Sequence, residues 1–285
     1  MIEAEYLFSE TDSFFVQYYR RINSLIEIFG TYATGISIIE MKRFFSQFNE
    51  DHMLVVLRML EHIDYYSTSR QISLIKDLAK AVKVFTNQEL DDVLFCPILS
   101  YSGSRADYVQ NYLKHFLKQS AHTKQDFNKK FIRYTDLAKL EKSTDKQTIV
   151  FVDDFIGSGR SLFKAWEFLK FWENDYHDYV FGVLVGYADA ITKLKKETYG
   201  RFDIIAINEL PVNSKAFHED NEYFSDDEKD VLKHYCEKIP SSKKEHTYGY
   251  MDTQSLVIFQ ERAPNNSLPI LHSKNNWEPL FKRLI

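Results

Sequence analysis

Apolar residues recur every three or four positions through the first 90 residues, a spacing that places them on one face of a helix. Helices are predicted over about 14–29, 36–48, 51–63 and 69–85. Gly30 is expected to end the first of them. A turn at 64–67 would join the last two, and one interpretation of that pair is a helix-turn-helix. The N-terminal part of the chain is therefore predicted to be a helical region.

Beyond Leu94 the pattern changes to short apolar runs that alternate with helical stretches. Strands are predicted at 94–100, 149–152, 179–187, 202–207 and 255–259. Helices are predicted at 106–118, 161–171, 188–198 and about 226–236. Such alternation indicates βαβ units and a mainly parallel sheet with helices on both faces. The predicted fold class is α/β, with a sheet domain at 91–285 that follows a helical region at 1–90.

The clearest candidate chemistry lies in residues 149–161, IVFVDDFIGSGRS. Asp153 and Asp154 are predicted where the strand leaves its sheet, and a loop of small residues follows. The loop residues are Gly157, Ser158, Gly159, Arg160 and Ser161. Backbone amides of such a loop, together with the N-terminus of the next helix, suit a phosphate group. Carboxylates suit sugar hydroxyls or a cation instead, so a ribose 5-phosphate fits both halves of the motif.

This segment resembles the signature of the type I phosphoribosyltransferases (PRTases). In that family a hydrophobic strand leads to paired acids, two apolar residues and a phosphate loop. The resemblance implies that Asp153 and Asp154 form the catalytic pair and contact the ribose hydroxyls of phosphoribosyl pyrophosphate (PRPP). It also implies that residues 157–161 bind the 5-phosphate, and that Mg²⁺ accompanies the ligand. The sequence itself indicates no residue as a metal ligand.

Two positions depart from the family pattern. Gly157 stands where some relatives carry an Asp or a Thr, and in purine-using members that Asp is assigned to proton transfer with the base. A glycine cannot do this. Arg160 replaces a small residue, and it either clamps a phosphate or narrows the loop. Binding is therefore better supported than turnover.

A second small-residue loop follows the strand predicted at 94–100. Its residues are Ser102, Gly103, Ser104 and Arg105. In the resembled fold the corresponding loop contacts pyrophosphate, so these four residues are further ligand-binding candidates, and a plain turn is the alternative interpretation. Because ligands bind at the carboxyl ends of parallel strands, both loops can face one cavity.

Three other interpretations of the main loop are less favoured. A nucleotide-triphosphatase P-loop would need Gly at position 154 and Lys at position 160, where this chain has Asp154 and Arg160. The FxGxG turn of adenine-specific DNA methyltransferases is similar, but those enzymes need a Pro-Pro motif that this chain lacks. An ordinary strand-to-helix turn with a capping Asp leaves the adjacent acids unexplained.

Charge and cysteine content narrow the classes of function. The net charge is −5, so no global basic field attracts nucleic acid. Residues 1–90 hold nine Lys/Arg and twelve Asp/Glu, a balance of −3 that makes direct DNA binding less favoured than a structural or partner-docking role. Only Cys96 and Cys236 occur, and no apolar run reaches 18 residues. The chain is predicted to be cytoplasmic and to have no membrane partner.

Together with the HIDYYS segment at 62–67 and the Pro-Asn-Asn turn at 264–269, the loop also resembles a divergent branch of PRTase-like proteins from bacterial conflict loci, including retron-type antiviral systems. This resemblance implies an effector or sensor that acts on nucleotides and has a protein or nucleoprotein partner. The predicted function is binding of PRPP or a ribose phosphate, with transfer or cleavage at ribose C1. The alternative is a non-catalytic PRPP-sensing module, either a DNA-binding regulator or a subunit of a complex.

Overall fold

The structure is a computed structural model that describes residues 10–98, 106–120, 127–133, 137, 146–170, 177–240 and 244–283. Contacts group the chain into two compact units. The first unit joins the N-terminal residues up to Thr68 with Asn213–Ile285, and the second is Ser69–Val212. This division differs from the domains 1–90 and 91–285 suggested by the sequence, because the C-terminal segment packs with the N-terminal helices.

The helices of the described ranges are α1 (Glu10–Gln17), α2 (Tyr19–Phe29), α3 (Ile38–Phe45), α4 (Glu50–Glu61), α5 (Thr68–Thr86), α6 (Ala106–Ser120), α7 (Arg160–Lys170), α8 (Ala188–Glu197), α9 (Asp226–Lys238) and α10 (Pro269–His272). Short 3₁₀ turns occur at Leu90–Asp92, Phe127–Lys130, Val212–Ser214, Lys244–His246 and Tyr250–Asp252. None of the helices in these ranges has both the length and the apolar character needed to cross a bilayer.

The strands are β1 (Asp64–Tyr66), β2 (Val93–Pro97), β3 (Thr148–Ile156), β4 (Asp178–Tyr187), β5 (Asp203–Leu210) and β6 (Val257–Phe259). They form two separate parallel sheets, one of β1 and β6 and one in the order β2-β3-β4-β5. The predicted α/β class with a parallel sheet is therefore confirmed. The predicted helical N-terminal region is also present in α1 to α5.

In the first unit one face of the small β1–β6 sheet, with Tyr65 and Ile258, belongs to the same hydrophobic core as the helices. Tyr66 aligns with Phe259, and their rings stack with centroids 5.1 Å apart. The turn predicted at 64–67 is wrong, since Asp64–Tyr66 is a buried strand held by a partner far along the chain. Helices α4 and α5 are thus separated by a strand, and the helix-turn-helix interpretation of this pair is wrong as well.

The single helix predicted over 14–29 is two helices. Tyr18 separates α1 from α2 with φ −107° and ψ 22°, outside the helical region. Hydrogen bonding nevertheless runs across the break, because Tyr18 N–H donates to Phe14 O at 2.9 Å and Tyr18 O accepts from Ile22 N–H at 3.0 Å. Gly30 ends α2 as expected, although with φ −58° it is not in the left-handed conformation.

In the second unit the segments that follow β2 along the chain lie on both of its sides. After β2 the chain runs through α6 to Phe131, which forms a parallel bridge with Phe95 on the outer side of β2. Ile132 N–H donates to Phe95 O at 3.0 Å. The chain then returns to β3, which lies on the other side of β2 and pairs Val150 with Phe95. Open α/β sheets bind ligands at such a switch point, outside the carboxyl ends of the strands.

Strand β3 is longer than the predicted 149–152. It runs to Ile156, and all nine of its residues are buried. The reason is its partner β4, a ten-residue strand that stays in register until Ile156 meets Gly186. Asp153 and Asp154 therefore lie inside the strand rather than just after it, which corrects the expected position.

Candidate functional site

The predicted phosphate loop is a three-residue bend between β3 and α7. It consists of Gly157, Ser158 and Gly159, and α7 begins at Arg160. Gly159 O accepts the first helical hydrogen bond, from Phe163 N–H at 2.9 Å. The earliest amides of any helix have no partner inside it, so those of Arg160 and Ser161 are suited to bind an anion. The bend thus has the backbone chemistry that a phosphate site requires.

Gly159 is constrained in two independent ways. Its φ of +74° lies in the left-handed region, which glycine adopts without steric cost. In addition, a Cβ at this position would lie 2.8 Å from Cγ and 2.9 Å from Cδ1 of Leu194 in α8. Leu194 of α8 therefore lies directly against the bend, and any residue larger than glycine at position 159 would clash with it.

The paired acids lie deep in the sheet. Asp153 is 4% exposed and Asp154 is 2% exposed. The backbone N–H of Asp154 donates to Oδ1 of Asp153 at 2.9 Å, so the first carboxylate also shapes the local backbone. Neighbouring side chains of a strand point to opposite faces of the sheet. The two carboxylates are therefore not equivalent.

Asp154 lies on the same face of the sheet as α8, the helix that contacts Gly159 of the bend. It shares that face with Ile156, two residues further along the strand. A Cβ added to Gly186 would lie 3.3 Å from Ile156 Cβ and 3.1 Å from Ile191 Cδ1 of α8. Because α8 also supports Gly159, this face carries both the bend and Asp154. Asp153 belongs to the opposite face by the same alternation.

The remaining predicted residues have different outcomes. Arg160 is exposed, and its guanidinium carbon lies 5.5 Å from the centre of the Phe163 ring at the surface of α7. Ser161 is half-buried in the first turn of the helix. The second loop, residues 102–105, lies outside the described residues. Within the described ranges, no group of three His, Cys, Asp or Glu side chains could hold a metal ion.

Comparison with protein families identifies the chain. The family model PRTase-CE matches residues 41–283, which include parts of both units. The chain belongs to the PRTase-CE family. The PRTase-type resemblance seen in the sequence is thereby confirmed, and the phosphate bend and its paired acids lie inside the matched range. The antiviral, retron-type branch stays a prediction.

Ten chains among solved structures match this PRTase-CE protein. One is orotate phosphoribosyltransferase from Francisella tularensis, with 14% sequence identity and a TM-score of 0.32. The alignment covers 60% of this chain and 80% of that enzyme. No curated protein matches the PRTase-CE chain significantly.

Sequence reasoning missed the residues that support the bend. Ile191 and Leu194 could be assigned to the apolar face of a helix from their spacing, but no local signal places them against a glycine in another loop. Phe131 was likewise part of a polar, lysine-rich run with no strand pattern. Its bridge to Phe95 defines the switch point, and it depends on a single residue pair rather than on a regular strand.

Proposed function

We propose that this PRTase-CE protein binds PRPP or a related ribose 5-phosphate nucleotide and transfers or cleaves the ligand at ribose C1. The 5-phosphate would accept hydrogen bonds from the amides of residues 157–161, and Asp154 would accept hydrogen bonds from ribose hydroxyls. One observation carries the proposal. Paired buried carboxylates stand three residues before a glycine bend at a helix N-terminus, at the carboxyl end of a central parallel strand.

The chemistry would be a displacement at ribose C1. The bond from C1 to the pyrophosphate oxygen breaks, a bond from C1 to a base nitrogen or a water oxygen forms, and the attacking group loses its proton to solvent. The chain contributes by fixing the ribose and its phosphate relative to the attacking group. Mg²⁺ carried by the ligand would supply charge neutralisation of the leaving pyrophosphate, and the carboxylates of the motif, Asp153 and Asp154, are the residues that could contact it.

A binding module without turnover is the second candidate, and Gly157 favours it. This buried residue stands where an acidic side chain transfers a proton in some relatives, and it has no side chain for that task. From the resemblance alone, we propose that the protein, whether enzyme or binding module, is an effector or sensor in bacterial antiviral defence. A protein or nucleoprotein partner would control it.

Calorimetric titration with PRPP tests the binding step. We expect Asp154→Asn to weaken PRPP binding about 10-fold or more, because a hydrogen bond to a charged acceptor contributes roughly 1.5–3 kcal/mol. Asp153→Asn should have the smaller effect, since that carboxylate faces the other side of the sheet. Asp203→Asn, at an exposed position in the same unit, is the matched control. Equal affinities for all four proteins would refute the assignment of the site.

A second measurement separates the two candidates. Release of pyrophosphate from PRPP is followed with a panel of bases and with water as the only acceptor. Release that disappears in Asp154→Asn supports the enzyme. Tight PRPP binding without release from any acceptor supports the sensing module.

A further inference from the structure

A groove on the second unit lies apart from the paired acids. It has a volume of about 670 Å³ and runs between α7 and α8. Three aromatic residues line it, namely Phe163 and Trp166 on α7 and Tyr199 just after α8. The volume is in the range of ligand-binding clefts. The groove therefore offers aromatic surface to a binding partner, and the remaining question is the chemistry of that partner.

Tyr199 is the most informative of these residues. It is 82% exposed, and its φ of +54° lies in the left-handed region. Tyr199 N–H donates to Lys196 O at 3.2 Å, and Gly200 N–H donates to Lys195 O at 2.9 Å. This is the Schellman pattern that ends many helices, and the position of Tyr199 in it is usually glycine.

A bulky residue with positive φ is strained, and such strain persists mainly where function needs it. The described residues with positive φ that are not glycine include no other aromatic residue. Burial does not account for Tyr199, because its ring is almost fully exposed and meets Trp166 only at a centroid distance of 6.5 Å. An exposed ring kept in a strained conformation suggests a stacking surface.

The two chain segments that carry the groove residues have a net charge opposite in sign to that of the whole protein, while the lining itself holds two lysines and two glutamates. Over residues 160–167 and 187–201, six positive side chains stand against three acidic ones, whereas the whole chain has a net charge of −5. The basic residues are Arg160, Lys164, Lys193, Lys195, Lys196 and Arg201, and all six are exposed. These two segments therefore favour an anionic partner more than the chain as a whole does.

We propose that the α7–α8 groove binds single-stranded nucleic acid. Bases would stack on Tyr199, and phosphates would contact Lys193 and Lys196. Aromatic platforms combined with a positive groove are the chemistry by which proteins bind single strands without strict sequence preference. Glu167 and Glu197 also line the groove, and their carboxylates can accept hydrogen bonds from base amino groups. The acidic side chains of a peptide, in contrast, offer no flat ring to stack on Tyr199.

Fluorescence anisotropy of labelled 15-mer oligonucleotides tests the proposal. Single-stranded DNA or RNA should bind the full chain, and Lys193→Glu with Lys196→Glu should weaken binding at least 10-fold. The same double change should lower the slope of log affinity against log salt by about 1.4, since each phosphate contact on a single strand contributes about 0.7. Lys80→Glu changes an exposed lysine on α5 of the same unit and should leave binding unchanged.

Tyr199 variants separate stacking from simple charge attraction. Tyr199→Gly should weaken binding about 5-fold or more, yet it should keep or raise the melting temperature because glycine suits the left-handed conformation. Tyr199→Asn tolerates the same conformation and serves as the second ring-free variant, and Tyr199→Phe should bind like the original chain. The proposal is overturned if the groove variants match Lys80→Glu, if duplexes bind as well as single strands, or if poly-glutamate binds more tightly than the oligonucleotides.

Discussion

At the scale of single residues, the bend after β3 depends on a contact between a glycine and a leucine from different elements. Gly159 has φ +74°, and Leu194 occupies the space that a side chain at position 159 would need. Mutation of Leu194 removes the steric constraint and leaves the left-handed conformation unchanged. The destabilisation caused by the steric clash can therefore be measured separately.

Gly159→Ala should lower the free energy of unfolding by roughly 2–5 kcal/mol, about 1–2 kcal/mol from the left-handed conformation and 1–3 kcal/mol from overpacking. Adding Leu194→Ala makes room for the new methyl group, so the double variant should be more stable than the sum of the two single changes predicts. Urea denaturation of the three variants gives the coupling energy.

Gly200→Ala is the control for that cycle. Gly200 also has positive φ, at +65°, but a Cβ there would meet nothing within 4 Å. Its cost should be limited to the backbone part, about 1–2 kcal/mol. If Gly159→Ala and Gly200→Ala cost the same, the contact with Leu194 does not constrain the bend.

The residue motif was the part of the site that the sequence could predict. Asp153, Asp154 and the small residues after them are adjacent in the chain, so their order alone indicates a strand, an anion site and a helix. Leu194 lies 35 positions from Gly159, and its contact arises only when α8 packs beside α7. Spacing within one segment carries no information about such a contact.

At the scale of elements, sequence patterns placed most helices and strands but misjudged two polar segments. Strand β3 continues through two aspartates because β4 pairs with it as far as Ile156, so tertiary context outweighs the low strand propensity of Asp. Strand β1 was assigned as a turn, since its three residues show no alternation and its partner β6 lies about 190 positions away. Both errors concern strands that their pairing partners stabilise.

The edge segment at Phe131 depends on a side-chain clamp from α6. Gln110 Nε2 donates to Phe95 O at 2.9 Å and to Ile132 O at 3.0 Å, and thereby joins the segment to β2. Gln110→Leu should therefore release this edge, with faster hydrogen exchange at the Ile132 amide, which donates to Phe95 O. We expect a loss of roughly 1–3 kcal/mol, because two carbonyl groups lose a donor.

Exchange measured by mass spectrometry or NMR checks this prediction. Asn111→Leu changes the next residue, which is exposed, and should leave Ile132 protected. Unchanged exchange at Ile132 in Gln110→Leu would mean that the backbone bridge alone holds the edge, and that the switch point does not need the clamp.

At the scale of the whole molecule, the first unit is built from both ends of the chain. Its hydrophobic core combines residues 14–65 with residues 216–281. The sequence could not reveal this, because a discontinuous unit has no local boundary signal and the C-terminal strand β6 looks like the continuation of the α/β pattern. The matched family range, 41–283, includes the C-terminal core residues and the N-terminal ones from Met41 onward, whereas core residues 14–36 lie outside it.

Phe281 joins the two ends of the chain within this unit. It is fully buried and packs edge-on against Phe29 at 5.1 Å and Tyr32 at 5.2 Å. Phe281→Ala should lower the free energy of unfolding by about 3–5 kcal/mol, as for other buried ring deletions. Tyr19→Ala removes an exposed ring from the same unit and should cost less than about 0.5 kcal/mol. Similar urea midpoints for the two variants would contradict a core that depends on the C-terminal segment.

Acid should destabilise this first unit through His272. Burial, reinforced by the positive charge of Arg283, lowers the pKa of His272 to about 4 from an ordinary 6.5. Its Nε2 lies 3.1 Å from Ser267 O, and because a carbonyl can only accept, the neutral ring carries its proton on Nε2. Between pH 6.5 and 4 the unfolded chain binds a proton that the folded chain does not, so stability falls as pH falls through this window.

The expected loss from this one group is about 2 kcal/mol between pH 7 and pH 5, and it levels off below pH 4, where both states are protonated. His272→Gln keeps an amide donor near Ser267 O but has no titrating group. The variant should start from a lower stability at pH 7 and then lose less than the original chain on acidification to pH 5. Carboxylates elsewhere contribute equally to both proteins, so the difference between the two urea-denaturation profiles isolates His272. Parallel profiles would show that the ring is protonated equally well in the folded and unfolded chains.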